Sequence, residues 1–148
     1  MIHIRKATLS DAKNIAIINI ITWKDAYKGL LPDDFLANRN LSEERIEYIK
    51  NLIENPTDIC IVAEFDNQIV GFCIGGLPRQ YNDIFEFELR AFYVLPDYQR
   101  KGIGKALFNK FKEIVSGKPF YLYALSANKK AIDFYTQNGG IIMPEYTQ

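Results

Sequence analysis

Seven residues, Gln99-Arg100-Lys101-Gly102-Ile103-Gly104-Lys105, constrain what this chain can fold into more than any others. They follow an apolar run ending Phe92-Tyr93-Val94-Leu95-Pro96, and they open an amphipathic stretch that begins Ala106-Leu107-Phe108. The order is strand, tight basic turn, helix. Such a turn aims several unpaired backbone N–H groups at one point, at the positive end of a helix dipole, and so makes a site for phosphate. Two glycines let the backbone come close to an anion with no Cβ in the way.

The rest of the chain supplies elements on both sides of that turn. Ile2 to Ala7 alternates as a first strand. Ser10-Asp11 predicts an N-cap for a long helix, whose apolar positions Ile15, Ile17, Ile18, Ile20 and Ile21 cover a broad face and which Gly29 and Pro32 end. Asp33 to Leu36 reads as a short helical piece. Ser42-Glu43-Glu44 caps a further helix with Ile46, Ile49, Leu52 and Ile53 as its buried stripe. Ile59–Phe65 and Ile69–Ile74 are strands joined by Asp66-Asn67-Gln68, a hairpin signal. Ile84 to Leu95 is a long strand, Gly102 to Val115 a helix, and Phe120 to Leu125, apolar on both faces, a central strand. Asn128 caps a last helix, Lys129 to Gln137, before a short strand Ile141-Ile142-Met143. This order predicts a single domain over residues 1–148, of α/β (α+β) class, with a mixed sheet and helices on its faces.

Composition narrows the function. The 18 basic and 18 acidic side chains cancel, which argues against nonspecific nucleic-acid binding. Cys60 and Cys73 each sit inside an apolar run and read as buried core residues, and His3 is the only histidine, so no metal site is expected. No stretch approaches the ~20 apolar residues of a membrane span, and no signal-peptide pattern is seen; a soluble, cytoplasmic protein is expected. In the long strand Glu86, Glu88 and Arg90 share one face. A polar face in mid-sheet points to a cleft; a solvated edge is the other reading.

Two blocks carry a family resemblance. Val94 to Leu107, with Gln99-Arg100-Lys101-Gly102-Ile103-Gly104 at its centre, is similar to the Gln/Arg-x-x-Gly-x-Gly/Ala signature of the GNAT superfamily of N-acetyltransferases. Asn128 to Gly139, containing Ala131-Ile132-Asp133-Phe134-Tyr135, resembles the family's later Asn…Ala-x-x-Phe-Tyr-x-x-x-Gly block at the right distance. A P-loop would need Ser or Thr where Ala106 stands, and a dinucleotide fingerprint would need Gly or Ala where Leu107 stands.

The resemblance implies a mostly antiparallel sheet and acetyl-CoA as the donor, with CoA as product and no metal. By that likeness the backbone of Gln99, Arg100, Lys101, Gly102, Ile103, Gly104 and Lys105 holds the pyrophosphate. The backbone of Phe92, Tyr93 and Val94 pairs with the pantetheine arm, in a gap between this strand and the next. A backbone N–H near Phe92 would polarise the thioester carbonyl. Tyr135 matches the tyrosine that protonates the departing thiolate, packing under the sheet being its other reading. Asn128 caps its helix and, by resemblance, touches the pantetheine. Glu88 is the candidate base, with Glu86 second; an ion pair is the alternative for Glu88. Trp23 and Tyr27 share a helical face. They either line an acceptor pocket, where Glu86 would add acidic character, or pack in the core.

The implied reaction is direct transfer to an amine of a small molecule or peptide. A CoA-binding module without catalysis is the alternative from another class. Relatives usually continue through two more strands after the second block, whereas only about ten residues follow Gly139 here; a curtailed C-terminal end and a homodimer are expected on that ground.

Overall fold

Asp66 and Asn67 both take positive φ, 52° and 66°, the geometry of a two-residue turn whose twist matches that of the strands it joins. That turn sets the register where β2 (Asp58–Phe65) meets β3 (Gln68–Gly76), at Phe65↔Gln68 and Glu64↔Ile69; a bulge at Val70 then shifts it by one residue, and pairing runs on from Ala63↔Gly71 to Asp58↔Gly76. In the computed structural model, which describes residues 1–143, three further strands extend this hairpin. β1 (Ile2–Lys6) pairs with β2, and β4 (Phe87–Val94) pairs with β3, both antiparallel. β5 (Phe120–Tyr121) lies parallel to β4 at the sheet edge, so the order is β1-β2-β3-β4-β5. The helices are α1 (Ala12–Tyr27), α2 (Asp33–Ala37), α3 (Glu43–Glu54), α4 (Ile103–Ile114) and α5 (Lys129–Gln137). None of the described helices is long and apolar enough to cross a membrane.

Period-two alternation along β2 sends its side chains to two separate cores. Cys60 and Val62 join Phe72 and Ile74 under α1 and α3, against Ala12, Ile15, Ala16, Ile18, Ile46 and Ile49. Ile61 and Ala63 join Val70, Cys73, Leu89 and Val94 under α4, against Ile103, Leu107, Phe108 and Phe111. The two cysteines thus belong to different cores, both almost fully buried. Burial pushes the Cys60 thiol up to about 12 and holds that of Cys73 well above its ordinary value.

β4 carries one residue more than β3 opposite it. Ile74 pairs with Ala91 but Gly75 with Leu89, which leaves Arg90 as a bulge. The bulge shifts the alternation. Leu89 faces α4; beyond Arg90, Ala91 and Tyr93 face α1 while Phe92 and Val94 face α4.

Four local expectations change. β4 begins at Phe87 rather than Ile84, because Asn82 to Ile84 form a turn. The strand expected over Phe120–Leu125 pairs only through Tyr121; it diverges from β4, and Tyr123 and Leu125 are exposed. Apolar character on both faces signalled a central strand, but the segment lies at an edge. Ile141 to Met143 form no strand, and Pro144 to Gln148 lie outside the described residues. Of the expected Ser10-Asp11 pair, Asp11 is the N-cap residue of α1, but its side chain makes no cap bond to that helix; it turns back to Thr8 in a capping box that closes a short 3-10 turn, Leu9–Asp11.

Asp11 also anchors β1. Its carboxylate accepts from Arg5 Nη1 at 2.7 Å and Nη2 at 3.0 Å and from the Thr8 amide at 2.8 Å, while Arg5 Nε reaches Glu64 on β2. Arg5 is the main cause that holds the Asp11 pKa below the usual carboxylate range. A carboxyl with a lowered folded pKa contributes stability above its unfolded pKa and loses that contribution as pH falls through the folded value. Asp11→Asn should therefore cost about 2 kcal/mol at neutral pH. The gap to wild type in thermal or urea melts should close at pH values below about 4.

Candidate active site

The turn after β4 leaves its amides free. Gln99 N–H donates to the Pro96 carbonyl at 3.3 Å, and backbone bonding resumes with Ala106 N–H to Gly102 O at 3.0 Å. Between them, the amides of Arg100, Lys101, Gly102, Ile103, Gly104 and Lys105 have no hydrogen-bond acceptor among the described residues. Arg100 and Gly102 bend the chain with φ of 64° and 83°, and Gly102 caps α4. Gly102 and the side chains of Arg100, Lys101 and Lys105 are exposed, and these three cations make no ion pair among the described residues. Six amides without an internal acceptor and the positive end of a twelve-residue helix thus come together, with exposed cations around them. Gln99 serves the turn differently from the expectation. Its amide is occupied, and its side chain ties the turn to the end of β4 (Nε2 to Val94 O, 2.9 Å) and to Lys130 of α5.

The two turn glycines differ in why they are glycine. At Gly102 a Cβ would meet nothing within 4 Å, so the left-handed backbone is what requires glycine there. Gly104 has ordinary helical backbone, and a Cβ would rest 3.4 Å from Phe134 and 3.8 Å from Phe92, an ordinary contact. Nothing within the fold demands glycine at position 104. A ligand approaching the backbone would.

Beside this turn the sheet opens. β4 and β5 share only Phe87↔Phe120 and Glu88↔Tyr121, so on that side the β4 edge from Leu89 to Val94 has no strand partner among the described residues, and we call this unpaired edge the gap. Phe92 stacks on Phe134 at 5.4 Å and meets Phe108 at 5.8 Å and Tyr135 at 6.1 Å, which fastens α5 to β4 and α4. The Tyr135 hydroxyl makes no hydrogen bond among the described residues. Burial, then the neighbouring Cys73, Tyr93 and Tyr27, push its pKa well above that of a free phenol. Tyr93 is likewise raised, to about 12, by burial and Tyr27. Asn128 caps α5 as expected, its Oδ1 accepting from the Ala131 amide at 3.2 Å.

Glu88 and Glu86 do not share an open acidic face. Glu86 is exposed and pairs with Lys118 at 3.1 Å. Glu88 is 1% exposed, and Arg79 grips it through Nη2 (2.5 Å), Nε (3.0 and 3.2 Å) and the backbone amide (3.0 Å). Tyr121 adds a hydroxyl at 3.1 Å. Burial alone would raise the Glu88 pKa; the bonds and charge of Arg79 outweigh it and hold the carboxyl below its usual range. The gripped pair, Glu88 and Tyr121, is also the last rung of the β4–β5 ladder. Arg79 was not legible in the sequence, since it lies in a loop with no periodicity.

Trp23 and Tyr27 do share a face, their rings 5.4 Å apart, and Phe35 of α2 joins them at 5.8 Å from Trp23. The Trp23 face is already covered by a cation, the Arg39 guanidinium, 4.3 Å from the ring centroid. Sequence reasoning missed Arg39.

The acetyltransferase (GNAT) family model matches residues 23–140. YuaI of Bacillus subtilis strain 168, described as an uncharacterized N-acetyltransferase, is 27% identical over 91% of this chain and 78% of its own length. A spermidine N(1)-acetyltransferase of Thermoplasma acidophilum is 25% identical over 93% of this chain and 87% of its own. Among solved structures, the PaiA N-acetyltransferase of Thermoplasma acidophilum in complex with coenzyme A superposes with a TM-score of 0.83 at 24% identity, covering 97% of this chain and 91% of that one.

The contrast between the two glycines is measurable. Gly102→Ala should lower stability by about 1–2 kcal/mol through forced left-handed backbone. Gly104→Ala should be neutral or stabilising by up to about 1 kcal/mol, as alanine is the better helix former. Thermal melts of both variants check this.

Proposed function

Since the chain belongs to the GNAT family of acetyltransferases, we propose that it moves the acetyl group of acetyl-CoA to the primary amine of a small molecule or peptide, by direct attack in a ternary complex. The observation that carries this reading is the run of six unpaired amides beside a strand edge that has lost its partner.

The residues fit coenzyme A. The amides of Arg100 to Lys105 would hold the pyrophosphate, with the side chains of Arg100, Lys101 and Lys105 adding attraction. Gly104 keeps that approach clear. The free edge of β4 at Phe92, Tyr93 and Val94 would take the pantetheine arm as an added strand, since main-chain groups there seek partners. Asn128 would contact the arm through its Nδ2, which makes no hydrogen bond among the described residues. Bound acetyl-CoA supplies an activated acetyl thioester. A backbone N–H near Phe92 polarises its carbonyl.

Tyr135 supplies the proton. Its hydroxyl makes no hydrogen bond among the described residues, so no partner competes for the proton it would give to the thiolate. Cys60 and Cys73, buried and protonated, have no nucleophilic part, which supports direct transfer. Glu88, expected as the base, is held by Arg79 in a form with lowered proton affinity. We assign it to bracing the foot of the gap, with the amine's proton leaving to water. The acceptor enters from the α1 side, where Trp23, Tyr27 and Tyr93 stand. The related spermidine N(1)-acetyltransferase supports an amine acceptor.

Three outcomes are expected. CoA at a hundredfold excess over its Kd should stabilise the protein by about 2.7 kcal/mol, with ATP and NAD giving no shift; equal shifts would remove the cradle assignment. Thiol release from acetyl-CoA across a panel of amines should fall about 10²-fold in Tyr135→Phe. That variant should keep stability within ~0.5 kcal/mol, as no hydrogen bond is lost. Glu88→Gln should lower stability by about 1–3 kcal/mol while kcat changes less than tenfold. A 10²-fold loss of kcat at unchanged melting temperature would return Glu88 to the role of base.

A further inference from the structure

The chain has six arginines, and their partners divide them. Arg5, Arg79 and Arg90 each hold a carboxylate, of Asp11 and Glu64, of Glu88, and of Asp58. Arg100 stands on the anion-binding turn. Arg39 and Arg45 remain, and neither makes an ion pair among the described residues. Both instead donate to one neutral oxygen, Asn19 Oδ1 of α1, from Arg39 Nη2 at 3.0 Å and Arg45 Nη1 at 3.4 Å.

Arg39 is the more constrained of the two. Its guanidinium lies 4.3 Å from the Trp23 ring centroid, which fixes its plane. Its Nε is buried with no hydrogen-bond partner among the described residues, and its Nη1 has none either. A buried, unsatisfied donor on a charged group is unfavourable. Burial, with the charge of Arg45 next, works against protonation of Arg39, while the Tyr93 and Tyr27 phenols favour it. Trp23 locates it. The indole under Arg39 lies 5.4 Å from Tyr27 at the end of α1, and α1 packs on β3 and β4, where Tyr93 joins the core beneath it, so Arg39 stands on the α1 face of the sheet, from which the reading above brings the acceptor. Glu43 and Glu44, in the first turn of α3, are exposed and pair with neither arginine.

We infer that the acceptor is an amine that also bears a carboxylate, bound by Arg39 with Arg45 beside it. This rests on the acetyl-transfer reading above. A carboxylate supplies what the pair lacks: acceptors for the idle donors and a negative charge between two like charges. A polyamine, all cation, would meet repulsion here.

The experiment pairs acceptors that differ only by that group: lysine against cadaverine, and ornithine against putrescine. Acetyl-CoA turnover is followed for each. The amino acid of each pair should be favoured in kcat/KM by at least about tenfold, the worth of a charged hydrogen bond. Arg39→Gln and Arg45→Gln should each shrink that ratio about tenfold. With CoA bound, lysine should raise the melting temperature of wild type more than cadaverine does. Arg39→Gln should lose this difference while keeping the CoA shift, which shows that the variant is folded. Equal use of both members of a pair, or preference for the diamine, overturns the carboxylate and leaves the transferase reading standing. Absence of any lysine shift in the CoA complex overturns it without need of turnover. A missing CoA shift in wild type overturns the reading beneath it.

Discussion

Parallel pairing between β4 and β5 stops after Glu88↔Tyr121, and the site depends on where it stops. A strand edge inside a protein must satisfy its amides and carbonyls somehow. Up to Glu88 the neighbour does so. Beyond it, six residues of β4 have no strand partner on that edge among the described residues. Glu88 is nearly the last place where a charge is expected, in a sheet covered on both faces, yet it is buried there with Arg79 and Tyr121 around it. That cluster fastens the final rung. Removing the grip would let the ladder fray or lengthen, and either would change the width of the gap.

On the reading proposed above, the two sides of the free β4 edge would recognise donor and acceptor by different means. On the donor side nearly everything offered is backbone: the amides of Arg100 to Lys105 and the edge of Phe92 to Val94. Backbone geometry is set by φ and ψ, and here by the left-handed residues Arg100 and Gly102. On the acceptor side the groups are side chains, Trp23, Tyr27, Tyr93, Arg39 and Arg45, brought from α1, β4 and the segments after α2. A constant donor is suited by a rigid main-chain cradle. Variable acceptors are suited by side chains, which substitution can change without disturbing the fold. The Arg90 bulge serves both, since it turns Tyr93 toward α1 and Phe92 toward α4 in adjacent positions.

Features that could be read along the chain were those whose cause is local. The turn of Gln99 to Lys105 needed only a strand, two glycines and an amphipathic helix after it. The Asp66-Asn67 hairpin and the Ser42 and Asn128 caps rest on hydrogen bonds within four residues. The failures share a different cause. Phe120 to Leu125 is apolar on both faces whether it pairs for two rungs or six. Glu86 and Glu88 share a strand face by spacing, but one meets Lys118 at the surface and the other Arg79 in the interior. Trp23 and Tyr27 were expected to share a helical face; that Arg39 would cover Trp23 depends on how the segment after α2 folds back over α1.

The sequence by itself determined the anion turn, the family and most of the elements, because each of these is a pattern over a few neighbouring residues. Only the tertiary structure decided where β5 leaves β4, that Glu88 is gripped rather than free, and that Arg39 and Arg45 share one oxygen of Asn19. Those three depend on groups between nine and about thirty residues apart along the chain. Burial and Coulomb interactions act through space, and their partners are chosen only when the layers close on one another.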